Sequence, residues 1–145
     1  MKSSIFLLQW LICCCAQAVS WHQVVGAING PFDLNVYEVD IDSVVVRDGL
    51  TEAWVRYSKA PPVSTKDYPV FTFSSTISLE HFDCPNRENF ASQTLYYSET
   101  FGKGDIMRRQ IVKRSEVKDS MTSVIPGTYG EALLKAVCAL KVNKR

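Results

Sequence analysis

The stretch Ile125-Pro126-Gly127-Thr128-Tyr129-Gly130-Glu131-Ala132-Leu133-Leu134-Lys135-Ala136-Val137-Cys138 decides how the rest of the chain is read. Thr128 and Glu131 stand at capping-box spacing. The Thr hydroxyl can accept from the amide three residues on, and the Glu carboxylate can reach back to the Thr128 N–H. Pro126 and Gly127 end any strand that precedes them. Ala and Leu then favour helix, and Leu134, Val137 and Cys138 fall at i, i+3, i+4 on one face. The chain therefore closes on a short helix that turns a cysteine inward, and the residues upstream must supply the surface it lies on.

Upstream the pattern is β. Leu34 to Val39 alternates, Asp40-Ile41-Asp42-Ser43 carries turn chemistry, and Val44-Val45-Val46 is a short β-branched strand. Arg47-Asp48-Gly49-Leu50 holds an Asp-Gly pair, a strong hairpin signal. Thr51 to Ser58 then alternates, with Ala53, Val55 and Tyr57 on one face and Glu52, Trp54 and Arg56 on the other. Lys59 to Pro69 reads as a loop, because Pro61, Pro62 and Pro69 cannot donate to a ladder. Val70 to Phe82 reads as a long strand, with a bulge expected between Glu80 and Asp83. Phe90 to Tyr97 and Asp105 to Val112 follow, joined by a turn at Phe101-Gly102-Lys103-Gly104, and Lys113 to Thr122 is polar and loop-like. Consecutive strands without intervening helices give an antiparallel sheet of about six strands and an α+β class, with the C-terminal helix on one face.

At 145 residues the chain holds one small domain. Met1 to Ala18 reads as a secretory signal: Lys2, an apolar run from Ile5 to Cys15, and an A-x-A site at Ala16-Gln17-Ala18. The run is short for a membrane span, and the residues before Cys13, Cys14 and Cys15 suit lipoprotein processing poorly. Cleavage would remove three of the five cysteines and Lys2, leaving Cys84, Cys138 and a balanced charge. One cysteine pair in an exported small domain reads as one disulfide. A metal-binding thiol pair is the weaker alternative, since C-x-x-C spacing is lacking. Residues 19–32, broken by Gly26 and Asn29-Gly30-Pro31, read as an N-terminal arm or a short first strand; 33–140 are the domain proper, and 141–145 a basic tail.

Tyr37-Glu38-Val39-Asp40 with Ser43-Val44, the hairpin into Trp54-Val55-Arg56, Phe82-Asp83-Cys84, Tyr96-Tyr97 before Gly102-Lys103-Gly104, and Ile125-Pro126-Gly127-Thr128 before Cys138 occur in the order seen in a known family. The chain resembles the surface-adhesin protein E domain of Gram-negative bacteria over about residues 33 to 140. That resemblance implies a six-stranded antiparallel sheet with a C-terminal helix held to its concave side by a disulfide. It also implies partners among host extracellular-matrix or plasma proteins, and pairing as a homodimer. Two departures accompany it. The adhesin has a lipoprotein signal where this chain has an A-x-A site, and it is basic before its first cysteine where this chain has the uncharged Val70-Phe71-Thr72-Phe73-Ser74.

Chemistry is sparse. His81 lies close to Asp83 and Cys84, but nucleophilic catalysis needs a free thiolate, so His81 reads as a satisfied strand histidine. His22 is alone, Asp40 and Asp42 suit turn capping better than calcium, and Gly102-x-Gly104 is a hairpin glycine pair rather than a phosphate cradle. No catalytic residue, metal or cofactor is expected, and a near-neutral chain gives no reason to expect nucleic acid. Lys103, Arg108, Arg109, Lys113, Arg114 and Lys118 form a basic run against Asp105 and Glu116. Within it Arg108, Arg109, Lys113 and Arg114 are the candidate ligand-binding residues, for sulfated polysaccharide or an acidic protein surface. The bland alternative is a charged edge strand that blocks pairing. The reading is therefore an exported, non-enzymatic binding domain in the periplasm or on the outer membrane. Its rival is a periplasmic structural or accessory envelope protein with no host ligand. Whether Trp54, Tyr96 and Tyr97 serve as core or as contact residues is left open by the alternation.

Overall fold

The computed structural model describes residues 19–30, 33–66 and 68–140. The expected signal peptide and the basic tail lie outside the described residues. Among the described residues eight strands form one antiparallel sheet: β1 (Trp21–Gly30), β2 (Asp33–Asp40), β3 (Val45–Arg47), β4 (Leu50–Ser64), β5 (Thr72–Asp83), β6 (Glu88–Tyr97), β7 (Ile106–Ile111) and β8 (Thr122–Ser123). Six of them lie side by side in the order β1-β2-β4-β5-β6-β7. The short β3 pairs with β4, and β8 pairs with β6. One helix, α1 (Tyr129–Ala139), packs across one side.

The helix starts where its cap dictates. Thr128 accepts from the Glu131 amide and donates to Ile125 O at 2.7 Å. Glu131 reaches back one residue further than expected, to the Gly127 N–H at 2.9 Å rather than that of Thr128. Arg87 and Lys135 also contact this carboxylate. Together these contacts hold its pKa down to about 2, with the Gly127 hydrogen bond the leading cause. Leu133, Leu134 and Val137 turn into the sheet and meet Val39, Ala53, Val55 and Phe82. Full burial of such a side chain contributes about 1.5–3 kcal/mol, so this layer dominates the stability. Cys138 closes the layer through a disulfide to Cys84 at the end of β5, 54 residues earlier. In the chain-entropy model that closure is worth about 4 kcal/mol.

The opposite side of the sheet is covered differently. The β6–β7 connection is not a tight turn. It carries a 3-10 turn at Thr100–Gly102 and folds back onto the sheet. Its backbone is met by two buried serines: Ser58 Oγ accepts from Phe101 N–H, and Ser75 Oγ accepts from Gly102 N–H and donates to Glu99 O. Beside them Arg56 forms a two-pronged pair with Glu38, at 2.7 and 2.9 Å. Its guanidinium lies between the Trp21 and Phe101 rings.

Several boundaries depart from the sequence reading. Residues 21–30, read as an arm or short strand, form a ten-residue edge strand paired along β2. Gly26 is no breaker: with φ near +106° and Asn35 O where a Cβ would lie, it lets β1 approach β2 closely. Lys59 to Ser64 is strand rather than loop. The exposed Pro61 and Pro62 fall where the β4–β5 register slips between Ser58 and Val63, so the sheet does not need their missing donors. The expected bulge lies between Leu79 and Glu80, but its extra residue is Ser92, on β6. The loop from Lys113 contains two 3-10 turns before β8, and its Val117 is buried.

Candidate functional site

Strand β7 owes its position to β6, whose Gln93 to Tyr96 pair with Ile111 to Arg108. All six of its residues are exposed. Arg108 and Arg109 are neighbours on a strand, so they project to opposite faces. The Arg108 guanidinium sits 5.6 Å from the Phe71 ring. Phe71 and Phe73 in turn pack edge-on against Tyr96, at 5.2 and 5.0 Å. This aromatic group, with Phe73 buried and Phe71 and Tyr96 half-buried, gives Tyr96 a packing role and lies against one arginine. Trp54 and Tyr97 are also half-buried, and the Trp54 backbone N–H donates to Ser43 Oγ. Arg109 lies over a shallow depression of about 190 Å³ with Gln93, Leu95 and Ile111. Lys113 follows the strand and is exposed.

Arg114, the fourth candidate, points elsewhere. Its guanidinium bridges Asp48 at 2.9 Å and the buried Glu52 at 2.7 Å. These two carboxylates raise its pKa, and it in turn draws the Asp48 carboxyl down. The structure thus gathers Arg108, Arg109 and Lys113 along one edge and places Arg114 in a separate cluster. Among the described residues no carboxylate pairs with Arg108, Arg109 or Lys113.

The Arg114 cluster was not legible beforehand. Glu52 and His81 face each other across the β4–β5 ladder, and both are nearly inaccessible. His81 Nε2 is 2.7 Å from Ser92 Oγ, the residue the bulge displaces, while its Nδ1 is 3.6 Å from Glu52. Burial lowers the His81 pKa and Arg114 adds to that, against the opposing pull of Glu52. The 3-10 segment bearing Arg114 and Val117 folds over this pair and leaves a cavity of about 370 Å³, lined also by Leu50 and Lys118. Glu52, His81 and Ser92 come in the chemical order of a nucleophile relay, but the acid–imidazole distance exceeds a hydrogen bond. The Ser92 hydroxyl is itself buried and not presented to the cavity. The arrangement gives the buried imidazole a hydroxyl partner and the buried carboxylate an ion pair with Arg114, and the Ser92 hydroxyl does not reach the cavity. Cys84 is equally unavailable as a thiolate, being held in the disulfide.

On the helix side Tyr37 stacks on Tyr57 and tilts against Tyr129, whose hydroxyl accepts from Asn35. Burial, with Tyr57 and Glu80 nearby, pushes the Tyr37 hydroxyl up to about 12. Burial likewise raises the Glu80 carboxyl, against a hydrogen bond from Asn89. Among the described residues no cluster of three or more His, Cys, Asp or Glu side chains is placed to hold a metal ion. No helix there is long and apolar enough to cross a membrane.

The family described as surface-adhesin protein E matches residues 23–139. Solved structures of Haemophilus influenzae protein E resemble the chain in fold. Crystal form II of that protein superposes with a TM-score of 0.50 at 18% identity, covering 83% of this chain and 96% of its own. Protein E from non-typeable Haemophilus influenzae gives 0.50 at 17% identity, covering 85% and 79%. No curated protein sequence matches the chain.

Proposed function

The chain belongs to the surface-adhesin protein E family, and from that premise we propose that it is an exported, non-enzymatic binding protein of the bacterial surface whose contact region is the β7 edge. The observation that supports this most is the charge of Arg108 and Arg109, on a strand whose every residue is exposed, and of Lys113 just beyond it, with which no carboxylate among the described residues pairs. Basic side chains that no described carboxylate neutralises can meet an acidic protein surface or a sulfated polysaccharide. The partner class is a host extracellular-matrix or plasma protein, or a sulfated glycan. Arg114 belongs to the region by position, but it acts there as a brace, because Asp48 and Glu52 hold its guanidinium.

The test is retention on heparin and on immobilised matrix protein as salt is raised. Arg108→Ser, Arg109→Ser and Lys113→Ser combined should lose salt-sensitive retention, while the fold, whose core lies elsewhere, stays intact. Unchanged retention removes β7 as the contact region. The periplasmic reading draws its support from Ala16-Gln17-Ala18. Protease added to intact cells separates the two: cleavage supports surface display, and protection until the outer membrane is opened supports an accessory role inside it.

A further inference from the structure

Strand β7 offers more than charge. It ends the sheet, and no described strand pairs with its outer side. Edge strands are ordinarily blunted by brevity, charge, proline, a bulge or a cover. This one has six residues, no proline and no cover among the described residues; it carries Arg108 and Arg109, and a bulge at Met107 leaves Arg108 to Ile111 in regular register with β6. Three of its side chains are large, apolar and exposed: Ile106 at 51%, Met107 at 46% and Ile111 at 61%.

The ladder direction follows from one hydrogen bond. Val112 N–H donates to Ser92 O at 2.8 Å, toward β6. In a strand the amide and carbonyl of alternate residues share a direction. Gln110 and Arg108 therefore also look inward, and Arg109 and Ile111 turn both backbone groups outward. Those groups are a template for another strand.

The arginines select the occupant. A second copy pairing antiparallel through its own β7 must join outward residues to outward residues. The two registers that overlap most of the strand set Arg109 opposite Arg109, or Arg108 opposite Arg108. Like charges directly opposite are destabilising. A strand bearing carboxylates meets no such penalty: one face offers Arg108, the other Arg109, with Ile106 and Ile111 for apolar neighbours.

We propose that β7 takes up an extended, acidic peptide segment of another protein as an added strand, with the backbone groups of Arg109 and Ile111 making the ladder and Arg108 and Arg109 pairing carboxylates on its two faces. This rests on the β7 contact region proposed above and adds its mode: main-chain pairing gives affinity, and charge gives choice.

The probe is a short fluorescein-labelled peptide repeating Glu-Glu-Val-Val, which sets carboxylates on both faces of an extended strand, read by anisotropy. The full exported chain is used with its disulfide intact. Ile111→Pro removes an outward N–H while leaving every cation and the β6 ladder in place. It should weaken peptide binding by about tenfold or more, and leave heparin retention unchanged. Ile111→Thr, which keeps the N–H, should bind within about twofold of the unaltered chain. The fully N-methylated peptide should not bind the unaltered protein, an arm that needs no variant to fold. Equal binding of the plain and methylated peptides overturns the inference. If they bind equally and the Arg108, Arg109 and Lys113 serine variant loses both, added-strand binding fails while the basic contact region stands. If that variant changes neither peptide nor heparin binding, the contact region itself fails. A dimer of the unaltered chain that Ile111→Pro abolishes assigns the edge to self-pairing, and this too overturns the proposal.

Discussion

The two sides of this sheet are covered by different chemistry. Under α1 the contacts are apolar: Val39, Ala53, Val55 and Phe82 meet Leu133, Leu134 and Val137. Under the β6–β7 connection they are polar: Ser58, Ser75, and Arg56 with Glu38. The difference follows from what does the covering. A helix satisfies its own backbone and asks the sheet only for apolar area. A connection with little regular structure has free amides and carbonyls, and buried ones must find partners. Ser75 supplies two at once and Ser58 a third. A buried serine in a strand can therefore mark a loop lying on it.

The most severe way to break this contrast is Phe82→Ala. The side chain is fully buried beneath α1, and its loss should cost about 3–5 kcal/mol, read as a lower urea midpoint with the disulfide intact. A loss below about 1 kcal/mol would mean that the helix layer does not dominate. Next comes Cys84→Ser with Cys138→Ser, expected to remove about 2–4 kcal/mol. Ser75→Ala, on the other side, should cost about 1–3 kcal/mol because Gly102 N–H and Glu99 O are left unpaired. Amide exchange should then speed up at Gly102 while the helix amides stay protected. Matching effects on both would erase the distinction between the layers. The mildest probe is pH. The Glu131 pKa is depressed from 4.5 to about 2. Its contribution is therefore complete above about pH 4.5 and lost as pH falls toward 2. Glu131→Gln should flatten that part of the stability profile, and an unchanged slope would take the carboxylate out of the cap.

What could be read in advance was local. The Asp48-Gly49 hairpin appears where its residues require, both with positive φ. The Thr128 cap and the inward Cys138 needed only spacing within one turn. What escaped depends on residues distant in sequence. Gly26 looks like a breaker until Asn35 O is seen against it. Pro61 and Pro62 look like a loop until the register slip removes the need for their amides. Glu52 and His81 carry no pattern that announces burial; Arg114 and Val117 bury them from more than thirty residues away in sequence. Of the basic run, strand alternation accounts for Arg108 and Arg109. The diversion of Arg114 to Asp48 is a contact across the fold that no window around Arg114 contains.

The disulfide also sets how the protein bears load. Cys138 stands in the last turn of α1 and Cys84 at the end of β5. Tension applied at the two ends of the chain passes from one to the other through sulfur. The 54 residues between them are withheld from extension, which shortens the stretched molecule by about 180 Å. Strands β6 and β7, with the candidate contact edge, lie wholly inside that closed ring. Pulling can peel β1 to β5 without drawing out the strand that carries the candidate contact edge.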